Sequence, residues 1–322
     1  MNLLNQEAAQ LLFNRLPHEK QIATLSPAFV AMDAKRDTEL SPYYLAHTEG
    51  EYFWLHSVLK GSVPNSDFID FQSAYGYGGP VSNTEDVTFL NEAWFKYCDW
   101  CIDHGVLAEF VRLHPMLNHP FYGELQQNRQ TVFLPPDSVA TPTCRNKIRK
   151  GEGEGLSVVT TPARDIVRFA YDYRKSMERL NADKFYYFND EYFEALARMP
   201  NANLIICELD KECLAAAIFM EGGPFFEYHL SFCNERGRKK AATNILLDRA
   251  QVFAGNYGKG IYLGGGKTTL NTDPLLEFKR SFGGKFKPFF TCSKIHREDV
   301  YYSMQEEYIE IGPINPRTLF WR

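Results

Sequence analysis

The stretch 228-YHLSFCNERGRKKAATNILL-247 decides how this chain folds. Its first residues end an apolar run, 224-PFFEYHLSF-232, that reads as a β-strand, and its last open a helix from Lys240 to about Asn256. Thr243, Leu246, Leu247, Ala250, Phe253 and Ala254 form the helix's spaced stripe. Between strand and helix lies a glycine among Arg236, Arg238, Lys239 and Lys240. A helix start offers backbone N–H groups and the positive end of a dipole, which alone would favour acids there. Basic residues in that place point to an anionic ligand, a phosphate above all.

Along the strand, period-two alternation puts Phe226, Tyr228 and Leu230 on one face and Glu227, His229 and Ser231 on the other. The polar face suits the solvated side of an antiparallel sheet. It equally suits the lining of a cleft, with Glu227 and His229 as proton-transfer groups.

Outward from this centre, 203-NLIICELD-210 and 213-CLAAAIFME-221 are strands, and Gly222-Gly223 is a hairpin signal before the third. Helices are expected at Ala163–Leu180 and Asp190–Met199, before these strands. After the central helix, 260-GIYLGG-265 is a short strand, Pro274–Phe282 a helix and 286-FKPFFTCSKI-295 a closing strand. The first half has extended runs at 20–25, 43–47, 51–59 and 67–71, a turn-rich 75-YGYGGPV-81 and a helix over 85–103. Strands at 106–115 and 129–135 follow, and 145-RNKIRKGEGEGLSVV-159 reads as a basic link. Both halves run antiparallel strands, helix, strand, so the class is mixed α/β (α+β) with an internal duplication. The expected domains are 1–144 and 145–322.

The bulk numbers agree. At 322 residues the chain is too long for one ordinary core, and 44% hydrophobic with 15% aromatic content is that of a folded protein. A net charge of −5 gives no global pull toward nucleic acid or an anionic membrane. No secretory signal and no apolar run near the roughly 20 residues of a membrane span are visible. Seven scattered cysteines suit reduced thiols, so a cytoplasmic protein is expected.

Three sharper motifs fail. The run 264-GGGKTT-269 resembles a P-loop, but five positions before Gly266 stands Ile261, not glycine. Cys98 and Cys101 form a lone CxxC on an apolar helical stripe, where cysteine fills a core. His114 and His119 have no partner at metal-ligand spacing, so no metal is expected.

Strand, basic turn R-x-x-A-x-T (Arg238, Ala241, Thr243), helix and glycine-ended strand together resemble the acyl-CoA-binding core of GNAT-fold acyltransferases. That family's signature is Q/R-x-x-G-x-G/A, so Ala241 and Thr243 stand where it has small glycine-type residues. A longer ordered set resembles the FemAB-like branch, which carries two GNAT-like halves, each a mainly antiparallel sheet flanked by helices. It comprises 75-YGYGGP-80, 110-FVRLHPML-117, 145-RNKIRKGEGEGLSV-158, 228–247, 261-IYLGGG-266 and 277-EFKRSFGG-284. Phe278 and Lys279 match the F-K of that branch's F-K-x-x-F-G motif, whose lysine faces the substrate cleft.

The resemblance implies transfer of an acyl group, acetyl above all, from acyl-CoA to an amine. The amine would belong to a small molecule, or to a peptide or amino sugar of the cell envelope. Leu230 and Phe232 would offer backbone N–H groups to the thioester carbonyl. Arg236, Gly237, Arg238, Lys239, Ala241, Thr243 and Asn244 would hold the cofactor's pyrophosphate. His229 or Glu227 would take the amine proton, and Tyr262 would protonate the thiolate. Tyr75, Tyr77, Lys267, Phe278 and Lys279 would contact the acceptor. Two rivals stand beside this: a FemAB-type transferase drawing on aminoacyl-tRNA for a peptidoglycan precursor, and a binding protein that keeps the fold without catalysis.

Overall fold

The computed structural model describes residues 1–117, 123–162, 166–311 and 317–322, the side chains of Val167, Arg168 and Ile311 aside. His119 and the expected helix start at Ala163 lie outside the described residues. Two units are present, Met1–Asn128 with Phe289–Arg322, and Arg129–Pro288.

The first unit runs β1 (Asn2–Leu4), α1 (Gln6–Asn14), α2 (Pro27–Asp33), β2 (Ser41–Glu49), β3 (Tyr52–Ser62), β4 (Ile69–Gln72), β5 (Val81–Ser82), α3 (Val87–Asp103) and β6 (Val106–Arg112). Strand β7 (Glu124–Leu134) leads into the second unit. There follow α4 (Pro142–Gly153), β8 (Ser157–Pro162), α5 (Ile166–Arg179), α6 (Asp190–Ala197), β9 (Ala202–Leu209), β10 (Glu212–Glu221) and β11 (Phe225–Cys233). After them come α7 (Glu235–Lys239), α8 (Ala242–Gly255), β12 (Gly260–Gly265) and α9 (Pro274–Arg280). Strand β13 (Lys285–Ile295) and α10 (Glu298–Ile311) follow.

The units part at 128/129 and 288/289, not at the single expected boundary 144/145. Strand pairing gives the reason. Residues 131–134 of β7 pair with β12, so this segment belongs to the second sheet. Residues 291–295 of β13 pair with β6, which returns the chain to the first.

In the first unit the strand order is β1-β2-β3-β4-β6-β13, antiparallel except for β4 with β6. Helix α3 starts where the Asp86 carboxylate accepts the Phe89 N–H, and buries Phe89, Leu90, Ala93, Trp94, Tyr97 and Cys101. Cys101 is therefore core, and Cys98 packs against the same cluster. The run 20–25, expected to be extended, forms two short 3-10 turns, His18–Lys20 and Ala23–Leu25.

In the second unit the order is β7-β12-β11-β10-β9-β8. All neighbours are antiparallel except β11 with β12. The basic link of the sequence is in fact helix α4, capped by Thr141 with Pro142 in its first turn. Pro fits there because the first helical N–H has no intrahelical partner in any case. Helix α8 buries Ala242, Ile245, Leu246, Leu247, Ala250 and Ala254 against the sheet core.

Candidate active site

Strands β11 and β12 pair in parallel only over Phe225–Glu227 with Gly260–Tyr262. Beyond that register they are no longer paired, although β11 continues to Cys233 and β12 to Gly265. A cavity of about 340 Å³ adjoins this end of β11. The end of α5, the turn into α8, and α9 supply its other walls. That volume is at the lower end of small-molecule pockets.

The polar face expected on β11 does not survive a bulge. Ile218 of β10 pairs with Leu230, yet its neighbour Phe219 pairs with Tyr228, so His229 is the extra residue. One inserted residue reverses the alternation beyond it. Tyr228 and Ser231, expected on opposite faces, therefore meet: the Tyr228 hydroxyl donates to Ser231 Oγ at 2.5 Å, and both line the cavity. Burial pushes the Tyr228 phenol up to about 12, so it stays a donor at neutral pH.

His229 is placed elsewhere. Its Nε2 lies 2.6 Å from the Tyr192 hydroxyl of α6, and burial lowers its pKa to about 4 against the pull of Glu227. Glu227 is buried in register with Tyr262, and Tyr262 packs on Phe225 at 6.2 Å between ring centroids. None of the three lines the cavity.

Lys279 does. It is buried in the last turn of α9, and its Nζ donates to the Gly265 carbonyl at 2.7 Å. Nζ also lies 5.7 Å from the centre of the Tyr228 ring. Burial lowers its pKa to about 7, although the Asp273 carboxylate opposes this. Phe278 lines the cavity beside it. Lys267 is exposed and contributes its backbone N–H to Asp273 instead.

At the turn into α8 the expected residues divide. Phe232, Gly237, Arg238, Ala241, Thr243 and Asn244 line the cavity, while Leu230 is buried opposite Ile218 in the sheet. Arg236 pairs with Glu212, Lys239 with Glu235 at 2.9 Å, and Lys240 with Glu154. Those three cations are drawn to neighbouring acids and do not line the cavity. Gly237 is where it is because a Cβ would come within 2.5 Å of the Leu214 carbonyl. Ala241 caps α8 with φ at +57°, a left-handed conformation that favours glycine.

Arg179, at the end of α5, belongs to no motif of the sequence. Its Nη2 donates to the Cys233 carbonyl at 2.6 Å and to Ser176 Oγ at 3.0 Å, on the cavity wall. Only tertiary packing brings it there. The described lining residues thus carry Arg179, Arg238 and Lys279, and no carboxylate.

Tyr75 and Tyr77 belong to the first unit. There the Tyr75 N–H donates to Asp33 Oδ2 at 2.8 Å, and Tyr77 packs edge-on against His114 and Phe289. No helix among the described residues is long and apolar enough to cross a membrane.

This fold is similar to that of several solved structures. FemX superposes with a TM-score of 0.70 over 95% of this chain and 100% of its own, at 13% identity. L-PGS from Bacillus licheniformis gives 0.60 over 96% and 98%, at 14% identity. The C-terminal domain of an Agrobacterium fabrum protein assigned as a lysylphosphatidylglycerol synthetase gives 0.62 over 95% and 97%, at 12%. No family model matches the sequence, and neither does any curated protein.

Proposed function

We propose that the protein is an N-acyltransferase that moves an acyl group from an acyl-CoA donor to an amine. The observation that carries this reading is the cavity where β11 and β12 cease to pair. It offers a buried lysine titrating near neutrality and, for an anionic donor, Arg238 of α7 and Thr243 in the first turn of α8. Cations and helix N–H groups suit a pyrophosphate.

In this reading the amine attacks the thioester carbonyl, forming a C–N bond, and the C–S bond breaks. An ammonium has no lone pair with which to attack, so a proton must leave. Neutral Lys279 takes it, its pKa being near the working pH, as an effective base requires. Lys279 passes that proton to solvent, and the second proton, which the nitrogen sheds as the adduct collapses to the amide, goes to the departing thiolate. The Tyr228–Ser231 hydroxyl pair donates toward the carbonyl oxygen as charge develops there. Lys279 thereby replaces His229 and Glu227 as the favoured base, since neither of those lines the cavity. The acceptor fitting this scheme is an amine of a peptide or glycan of the cell envelope, modified in the cytoplasm where thioester donors are made.

A second reading draws the acyl group from aminoacyl-tRNA, and the likeness to FemX over nearly the whole chain supports it. Against it stands the cavity's charge: three cations and no described carboxylate would face the ammonium of an aminoacyl group. Incubation with acetyl-CoA and a panel of amines, followed by free-thiol detection, tests the first reading. Release of uncharged tRNA without thiol release would transfer the assignment to the second.

A further inference from the structure

We infer that His47, Glu49 and Glu92, in the first unit, form a binding site for a divalent transition-metal ion of the Zn²⁺ class. Period two in β2 puts His47 and Glu49 on one face. Helix α3 passes beside it, with the Phe89 ring stacked on His47 at 5.3 Å, and Glu92 follows Phe89 by three residues, about one turn. A ring nitrogen of His47 and a carboxylate oxygen of each glutamate all lie within 4.8 Å of one another.

A second observation points to a ligand. His47 is only 7% exposed, and its buried Nε2 has no hydrogen-bond partner among the described residues. A buried polar atom left in this way costs free energy, and an ion held through Nε2 would offset it. A cation is already drawn to the place, since Lys96 Nζ lies 2.5 Å from Glu92. One imidazole and two carboxylates match the mixed nitrogen and oxygen set that Zn²⁺ accepts, with water completing the tetrahedron. Ca²⁺ and Mg²⁺ prefer oxygen alone. Glu49 is exposed and the Glu92 side chain is 44% exposed, so both can close to bonding distance. The bound ion would tie β2 to α3.

The test is calorimetric titration of metal-free full-length protein with ZnCl₂ near neutral pH. One ion should bind per chain and raise the thermal midpoint. Glu92→Gln, on an exposed side chain that does not endanger folding, should weaken binding by about 10- to 100-fold, the scale on which even outer-shell changes act. Lys96→Met, which removes the competing ammonium, should tighten it. His47→Gln should abolish it, and Glu49→Gln serves in its place if that variant fails to fold. Absence of Zn²⁺ binding, or binding unchanged in both Glu92→Gln and Glu49→Gln, overturns the site.

Discussion

Lys279 Nζ donates to the carbonyl of Gly265 at 2.7 Å, on a part of β12 that lies beyond its last residue paired with β11. A helix side chain that lines the cavity thus reaches the end of β12. Its pKa of about 7, against 10.5 for ordinary lysine, comes first from burial. If the neutral amine is the base, kcat/KM rises with pH through about 7 and then levels. Lys279→Met should lower kcat by about 10²- to 10⁴-fold and remove that inflection. A rate that instead falls through pH 7 would assign the work to the ammonium form. Full activity in the variant would remove Lys279 from the mechanism altogether.

The same residue makes a stability prediction of opposite character. Between about pH 7 and 10.5 the unfolded chain holds the proton that folded Lys279 has lost, so its contribution to stability improves as pH rises through that window. Lys279→Met should therefore raise the thermal midpoint more at pH 6 than at pH 9, because a buried charge is removed only at the lower pH. Equal shifts at both pH values would contradict the lowered pKa.

Ala241 carries a left-handed backbone at the start of α8, where a Cβ costs roughly 1–2 kcal/mol. Ala241→Gly removes that cost but gives the unfolded chain more freedom, by roughly 0.5–1 kcal/mol. A net gain of about 0.5–1 kcal/mol in urea denaturation is expected, with CoA affinity kept. Ala241→Val should lose stability and weaken CoA binding together. The signature that this turn resembles has glycine at this position, and the left-handed backbone explains why.

Much of this fold is legible in the sequence because strand, basic turn and helix follow one another over residues 225–255 with clear periodicity. The site is less so. Whether Tyr228 and Ser231 share a face depends on the bulge at His229, which is set by how β11 registers on β10. Helix α4 hides among charges and glycines, with Cys144 and Ile148 as its buried apolar residues. Arg179 reaches the cavity wall from 54 residues before the Cys233 carbonyl it binds. The basic residues of the turn were legible as charge, but not as partners of Glu212, Glu235 and Glu154.

In the first unit a wholly buried carboxylate, Glu109, lies 2.6 Å from His56 Nε2 and accepts from the Tyr97 hydroxyl at 2.6 Å. Burial alone would raise its pKa, but the imidazoles of His56 and His296 hold it near 2. Its contribution to stability is then complete above pH 4.5 and lost as pH falls toward 2. Glu109→Gln should cost about 3–5 kcal/mol at neutral pH, the scale on which changing one partner of a fully buried pair acts. It should also flatten the acid limb of the stability profile. Urea midpoints at pH 7 and pH 3 measure both, and a cost under about 1 kcal/mol would contradict the lowered Glu109 pKa.

Asp273 explains what 264-GGGKTT-269 does instead of holding a nucleotide. Its carboxylate accepts the N–H groups of Lys267 and Thr268 at 3.0 and 2.8 Å and the Thr268 hydroxyl at 3.0 Å. The other oxygen caps α9 through Leu275 and Leu276 at 2.9 and 3.0 Å. Burial would raise its pKa, yet these donors hold it well below the usual carboxylate range. Gly266 leaves room for it, since a Cβ there would collide with the carboxylate. One side chain therefore fixes both the loop and the helix that carries Phe278 and Lys279. Asp273→Ala should lower the thermal midpoint and reduce kcat/KM by about 10- to 100-fold through displacement of Lys279, the range a misplacement of about 1 Å produces. Asp273→Asn, which keeps one acceptor oxygen, should restore part of both. Gly266→Ala should reproduce the defect from the other side of the contact. Full activity in Asp273→Ala would mean that α9 holds Lys279 in place without the loop.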